Sequence, residues 1–250
     1  MFPVMQIGPL AIQITGLILL LGLWLGLALA ERHATEFGVA ATSLNNLVFI
    51  SLVFGVIGAR LVYVLRYPSA FAASLASLLP FNPDLFDPAG GLAAALIAAL
   101  IYGQRKGMKL LPTLDALTPV LAVLAIAVSA AHLASGSAFG APTPLPWGIH
   151  LWGETRHPTQ VYEILAYIIL LIVFWPGRKA IHNWPPGNYF LAFTGSSASL
   201  YLFLQTFRGD SPVLINGLRI PQIIAWLVLA FCLAAIGKLS KRNFEDNKIR

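Results

Sequence analysis

Seven runs of predominantly apolar residues joined by short connections constrain this chain more than any other feature: they lie near residues 10–30, 45–66, 90–104, 114–136, 161–176, 188–207 and 219–239. A bilayer core about 30 Å thick needs roughly 20 apolar residues in helical form, and most of these runs reach or approach that length. The run at 90–104, GGLAAALIAALIYGQ, is the shortest and reads as a short or tilted helix opened by the pair Gly90-Gly91. In lipid a spanning segment must satisfy its own backbone, so apolar runs of this length are helices. Only 10% of the residues are charged, against about 25% in an ordinary soluble domain, and the apolar runs leave no room for a separate soluble module. The expected fold is an all-α integral membrane protein with seven transmembrane helices, forming a single domain over residues 1–250.

The basic residues give the orientation. With the C-terminus inside, the inside segments hold Arg32, Arg105, Lys106, Lys109, Arg178, Lys179, Lys238, Lys241, Arg242, Lys248 and Arg250, and the outside segments hold Arg66, Arg156, Arg208 and Arg219. That division of eleven to four fits the excess of Lys and Arg expected in cytoplasmic loops and predicts an outside N-terminus and a cytoplasmic C-terminus. A six-helix count would put basic loops on both sides. Because the net charge of +6 follows this topology and forms no cluster on a soluble element, a nucleic-acid partner is excluded. The N-terminal segment lacks a basic n-region and carries an apolar stretch of about 20 residues, which reads as a retained first helix. Cys232 is the single cysteine, so no internal disulfide or cysteine metal cluster can form, and the histidines show no metal-ligand spacing. No metal and no cofactor are expected.

Two outside connections are long: Tyr67–Pro88, whose SAFAASLASLLPF reads as an interfacial amphipathic helix, and Gly136–Gln160. Loops held between rigid spans are where function concentrates. Arg60 is an ionisable group within the second span and needs either a structural partner or a lipid headgroup. The run Arg156-His157-Pro158-Thr159-Gln160-Val161-Tyr162-Glu163 enters the fifth span and puts Thr159, Tyr162 and Glu163 on one helical face. An acid there requires a cation such as Arg60, Arg156 or Arg208, and the resulting cluster reads equally as architecture or as a site. Arg208 and Arg219 add forked donors suited to a phosphate, with solvated loop charge as the plainer alternative. His132, at the end of the fourth span, is a candidate base or a hydrogen-bonded structural residue.

Several of these segments together resemble one family, the bacterial prolipoprotein diacylglyceryl transferases. The matching pieces are IGPLAIQITGL at 7–17, GARLVYVLRY at 58–67, Gly90-Gly91-Leu92, LDALTPVL at 114–121 with Asp115, FGAPTPLPWG at 139–148 with Gly140, RHPTQVYE at 156–163, and FRGD with the later Gln222. The resemblance implies seven helices in the bacterial cytoplasmic membrane and a phosphatidylglycerol cavity open to the bilayer. It also implies transfer of a diacylglyceryl group to a lipobox cysteine, with a base to form the thiolate and arginines to hold the departing phosphate.

The sequence departs from the family pattern where that chemistry is expected. Ala89 stands where a histidine usually precedes Gly-Gly-Leu, and Thr15 where a tyrosine precedes the first-helix glycine. Ser129 and Tyr201 stand at the usual arginines, His132 at the usual asparagine, Ser137 at a common glutamate and Gln205 at a usual glutamate. What the resemblance keeps is Arg60, Gly90, Gly91, Asp115, Gly140, Arg156, His157, Gln160, Tyr162, Glu163 and Arg208, a set of lipid-headgroup or structural polar residues. The expectation is a catalytically degenerate member that binds a phosphatidylglycerol-like phospholipid or serves as a subunit beside other membrane proteins. The alternative is an active transferase with a rearranged site using His132. A transporter is disfavoured, since no inverted repeat or pair of broken helices is present.

Overall fold

The computed structural model describes residues 4–7, 10–71, 85–210 and 219–248, and these are mostly helical. An N-terminal hairpin pairs β1 (Val4–Ile7) with β2 (Leu10–Gln13) antiparallel and runs into α1 (Ile14–His33). There follow α2 (Ala41–Arg66), the single turn α3 (Pro68–Phe71), α4 (Pro88–Arg105) and α5 (Leu110–Ser135). A small hairpin of β3 (Ile149–Leu151) and β4 (Glu154–Arg156) precedes α6 (Thr159–Val173), the turn α7 (Lys179–His182), α8 (Asn188–Leu204) and α9 (Ile220–Lys248).

A helix thus occupies each of the seven apolar runs. Four segments, 14–37, 41–66, 110–135 and 220–241, are long and apolar enough to cross a membrane, and α6 is a shorter apolar helix of 15 residues. The stretch expected to carry an interfacial amphipathic helix lies outside the described residues from 72 onward.

The chain forms two compact units, residues 1–37 with 114–250, and residues 38–113. In the second unit α2 lies against α4 through small residues. A Cβ at Gly58 would overlap Ala94, one at Gly90 would overlap Val62, and one at Gly91 would come within 2.9 Å of the Ala59 Cβ. Lipid chains are as apolar as leucine, so helices in lipid associate through close contact and polar ties, and small residues permit the approach. The pair Gly90-Gly91 therefore serves as a packing joint. Asp87 sets the start of α4: its Oδ1 accepts from the Gly90 N–H at 2.7 Å, Pro88 fills the first helical position, and Arg66 reaches Oδ2 at 2.6 Å. Arg60 donates to the Leu85 carbonyl at 2.9 Å, with its guanidinium 5.2 Å from the Phe71 ring centre and 5.8 Å from that of Phe86.

The first unit uses the same device. A Cβ at Gly22 would overlap that of Ala127, and one at Gly26, a helical turn later, would lie 3.0 Å from the Val120 Cα, so α1 seats against α5 along a small-residue stripe. Buried Asp115 of α5 then fixes where α8 begins. Its two oxygens accept from the backbone N–H groups of Gly187 at 2.5 Å and Phe190 at 2.9 Å, satisfying amides that a helix start leaves without intrahelical partners. Gly187 has φ +92°, which explains glycine at that cap.

Replacing Gly22 with leucine is expected to lower the thermal unfolding midpoint in detergent, in line with an overpacking cost of about 1–3 kcal/mol. Gly16, whose Cβ would meet nothing within 4 Å, is the control position and is expected to tolerate alanine with no comparable loss.

Candidate functional site

Much of the polar chemistry of the first unit gathers around one irregular strand, residues 137–143. Its backbone is held on both sides. Ala141 donates to the Phe207 carbonyl at 2.8 Å and Gly209 donates to Phe139 at 3.0 Å, while His157 donates to Ala141 at 3.0 Å and Thr143 to Thr155 at 2.9 Å. Gly140 is bridged to Arg208 and Pro142 to Arg156, so three chain segments run side by side. Glycine at 140 follows from that crowding, because a Cβ there would overlap the His157 backbone. The β3–β4 hairpin turns through Trp152 and Gly153, both with positive φ, +57° and +81°.

The RHPTQVYE run clamps this strand. Thr159, fully buried, donates its hydroxyl to the Ala138 carbonyl at 2.7 Å, and fully buried Gln160 donates from Nε2 to the Ser137 carbonyl at 2.7 Å. Arg156 reaches Glu154 at 2.6 Å and the Gly140 carbonyl at 3.3 Å, with its guanidinium 5.0 Å from the centre of the Phe139 ring. Its Nε is buried and has no hydrogen-bond partner among the described residues. His157 Nδ1 lies 3.4 Å from the Tyr162 hydroxyl, which also accepts from Trp147 Nε1 at 2.9 Å.

Glu163, on the first turns of α6, is buried and occupied on both oxygens. Arg208 Nη1 donates to Oε1 at 3.0 Å and the Ser129 hydroxyl of α5 donates to Oε2 at 3.0 Å. Arg208 in turn grips Asp210 through Nε at 2.9 Å and Nη2 at 3.1 Å, the forked geometry that suits a carboxylate. Burial disfavours charge on Arg208, but the hydrogen bond and charge of Asp210, with the charge of Glu163, more than offset it and hold the guanidinium above its ordinary pKa. Arg219 closes the group by donating from Nη1 to the carbonyls of Arg208 at 2.9 Å and Gln205 at 3.2 Å. His132 presents a buried Nδ1 with no hydrogen-bond partner among the described residues.

The structure therefore brings together Gly140, Arg156, His157, Gln160, Tyr162, Glu163 and Arg208. Arg60, Gly90 and Gly91 belong to the other unit, where they hold a helix pair, and Asp115 caps α8. The parts that Asp87, Ser129 and Asp210 play were not read from the sequence. Asp87 carried a legible signal, an Asp-Pro pair opening an apolar helix. Ser129 and Asp210 carried none, because their roles depend on partners 34 and 2 residues away whose side chains only the fold aligns.

Four helices long and apolar enough to cross a membrane, with a loop-borne polar cluster in the first unit, define a helical membrane protein. Among such proteins the match is specific: the family described as prolipoprotein diacylglyceryl transferase aligns with residues 3–237, and the chain belongs to that family. It is similar to the phosphatidylglycerol–prolipoprotein diacylglyceryl transferase of Thermus thermophilus, with 36% identity over 242 residues covering 82% of this chain and 86% of that protein. The enzyme of the same name from Clostridioides difficile is 28% identical over 233 residues, covering 91% of each chain. That from Finegoldia magna is 25% identical over 217 residues, covering 86% of each.

Removing one partner of a buried ion pair leaves the other uncompensated, at a cost of about 3–5 kcal/mol. Arg208→Ala is therefore expected to destabilise the protein strongly, and the double variant Arg208→Ala/Glu163→Leu to recover much of the loss. A double-mutant cycle on thermal unfolding in detergent measures the coupling.

Proposed function

We propose that this chain is a catalytically degenerate member of its family, retained as a phospholipid-binding scaffold or as a subunit of a membrane complex. The observation that carries the reading is the state of Arg208: its three nitrogens are engaged by Glu163 and Asp210, so its charge is committed within the protein. A phosphate clamp needs donors that are free to meet the ligand. At the other positions where the resemblance implies arginines stand Ser129, which serves as a partner of Glu163, and Tyr201. Ala89, where the resemblance implies a base, has no titratable side chain.

On this reading the chain is a single domain over residues 1–250 that crosses a bacterial cytoplasmic membrane seven times with its N-terminus outside. Supporting it are one family match running from residue 3 to 237, a helix at each apolar run and the eleven-to-four division of basic residues. Arg156 is the side chain through which a phosphatidylglycerol-like headgroup would be held, by exchange for its bond to exposed Glu154. Purified protein in nanodiscs, given labelled phosphatidylglycerol and a lipobox peptide beside an authentic transferase, is expected to transfer no label above the blank. Transfer at a rate comparable to the control would overturn the reading.

One observation favours a second reading, an active transferase with a rearranged site. The Nδ1 of His132 has no hydrogen-bond partner among the described residues, as the ring of a candidate base would require, and the relatives cited above are named as transferases. That reading predicts measurable transfer by the wild type and its loss in a folded His132→Ala variant. Undiminished transfer in that variant would exclude His132 as the base.

A further inference from the structure

The β3–β4 hairpin presents two large apolar side chains that the chain leaves mostly uncovered. Trp147, on its approach, is 57% exposed, and Trp152, at its tip, is 64% exposed. The polar atom of each indole is already engaged: Trp147 Nε1 donates to the Tyr162 hydroxyl at 2.9 Å, and Trp152 Nε1 to the Gly136 carbonyl at 3.3 Å. What each ring offers outward is therefore hydrocarbon.

The backbone makes Trp152 a costly residue at its position. Leu151 pairs with Glu154, so residues 152–153 form a two-residue turn, with positive φ at both, +57° and +81°. Such a turn favours asparagine or aspartate followed by glycine, and a bulky side chain at positive φ meets steric resistance. Among the described residues Ala138 is the other non-glycine with positive φ. Ala138 is buried in the clamp around residues 137–143, where its carbonyl accepts from Thr159. Trp152 has one indole hydrogen bond and an exposed ring, which leaves the reward for the ring's apolar area outside the chain.

The two indole hydrogen bonds set the level at which these rings lie. Gly136 directly follows the last residue of α5, and Tyr162 is on the first turn of α6. α5 is one of the four helices long and apolar enough to cross a membrane. Its 26 residues rise about 39 Å, more than the roughly 30 Å of a bilayer core. With α5 across the bilayer, its end and the Trp152 ring bonded there fall in the headgroup layer, the zone where tryptophan concentrates. The formal charges within residues 142–156, Glu154 and Arg156, pair at 2.6 Å, so placing the hairpin at that depth strands neither. Both rings being tied to helix ends favours the bilayer over a protein as their cover.

We propose that the β3–β4 hairpin is an interfacial anchor, with Trp147 and Trp152 lying in the headgroup layer of the leaflet at which α5 ends and α6 begins. The occupant of the exposed face is the lipid–water boundary of the surrounding bilayer. Through the hydrogen bonds of Thr143 to Thr155 and His157 to Ala141, the anchor fixes the depth of the polar cluster. It requires that α5 crosses the membrane and is independent of whether transfer is lost, so it can fail while the degenerate reading stands.

The test is fluorine NMR on the full chain, labelled with fluorotryptophan, in phosphatidylcholine nanodiscs, the Trp147 and Trp152 signals being assigned with Trp147→Phe and Trp152→Phe. Both signals are expected to be broadened more by a headgroup spin-labelled lipid than by one labelled at the chain end, and to be shielded from a soluble gadolinium chelate. Trp24, exposed near the middle of α1, is the internal reference and is expected to show the reverse preference between the two lipid labels. Trp152→Asn supplies the residue that the turn itself favours and is expected to fold. That variant is expected to lose the extra amide-exchange protection that β3 and β4 show in nanodiscs over amphipol, which lacks a headgroup layer. A purely structural role for the ring would change exchange equally in both media, and that result would overturn the anchor. So would wild-type rings open to the chelate in nanodiscs, or rings shielded only after native membrane proteins are added, the outcome that a protein partner gives. Should Trp152→Asn not fold, the ring depths in the wild type decide alone.

Discussion

Helices immersed in lipid gain nothing by hiding leucines from one another, because the surrounding chains are equally apolar. Their association must come from close backbone approach and from polar ties, and both kinds of contact recur through this structure. Gly22 and Gly26 bring α1 onto α5, and Gly58, Gly90 and Gly91 join α2 to α4. The polar ties sit where helices begin. Asp87 caps α4 and Asp115 caps α8, each supplying oxygen to amides that would otherwise lack partners. Asp87, Asp115, Thr159 and Gln160 thus have structural employment in this chain.

The polar cluster around residues 137–143 follows from the same economy of charge. Glu163 is tolerable at the start of an apolar helix because Arg208 and Ser129 occupy its two oxygens, and Arg208 is anchored by Asp210. Buried charge demands such pairing, since an ion without a partner costs several kcal/mol. The chain that carries this cluster is similar over most of its length to proteins named phosphatidylglycerol–prolipoprotein diacylglyceryl transferase.

Sequence spacing alone could read the Gly90-Gly91 pair only as a helix start; its role as a joint depends on Val62 and Ala59 lying opposite, on a different helix. Arg60 was legible as a group that needed relief from burial, but not as a donor to Leu85 flanked by two phenyl rings. The RHPTQVYE run was legible as a cluster at a helix entrance. That its Thr159 and Gln160 serve the carbonyls of residues 137–138 was not, because a side chain–backbone contact over 21 or 23 residues leaves no periodic trace in the chain.

By itself the sequence determined the class of fold, because apolar runs of bilayer length have one way to satisfy their backbone in lipid. It determined the family as well, through an ordered series of motifs from the first helix to the last. Which charges meet was decided only by tertiary structure. The pairings of Glu163 with Arg208 and Ser129, and of Asp115 with the start of α8, join segments 34 to 75 residues apart. Coulomb and hydrogen-bond energies depend on distances of a few ångströms, and spacing along the chain does not encode those distances.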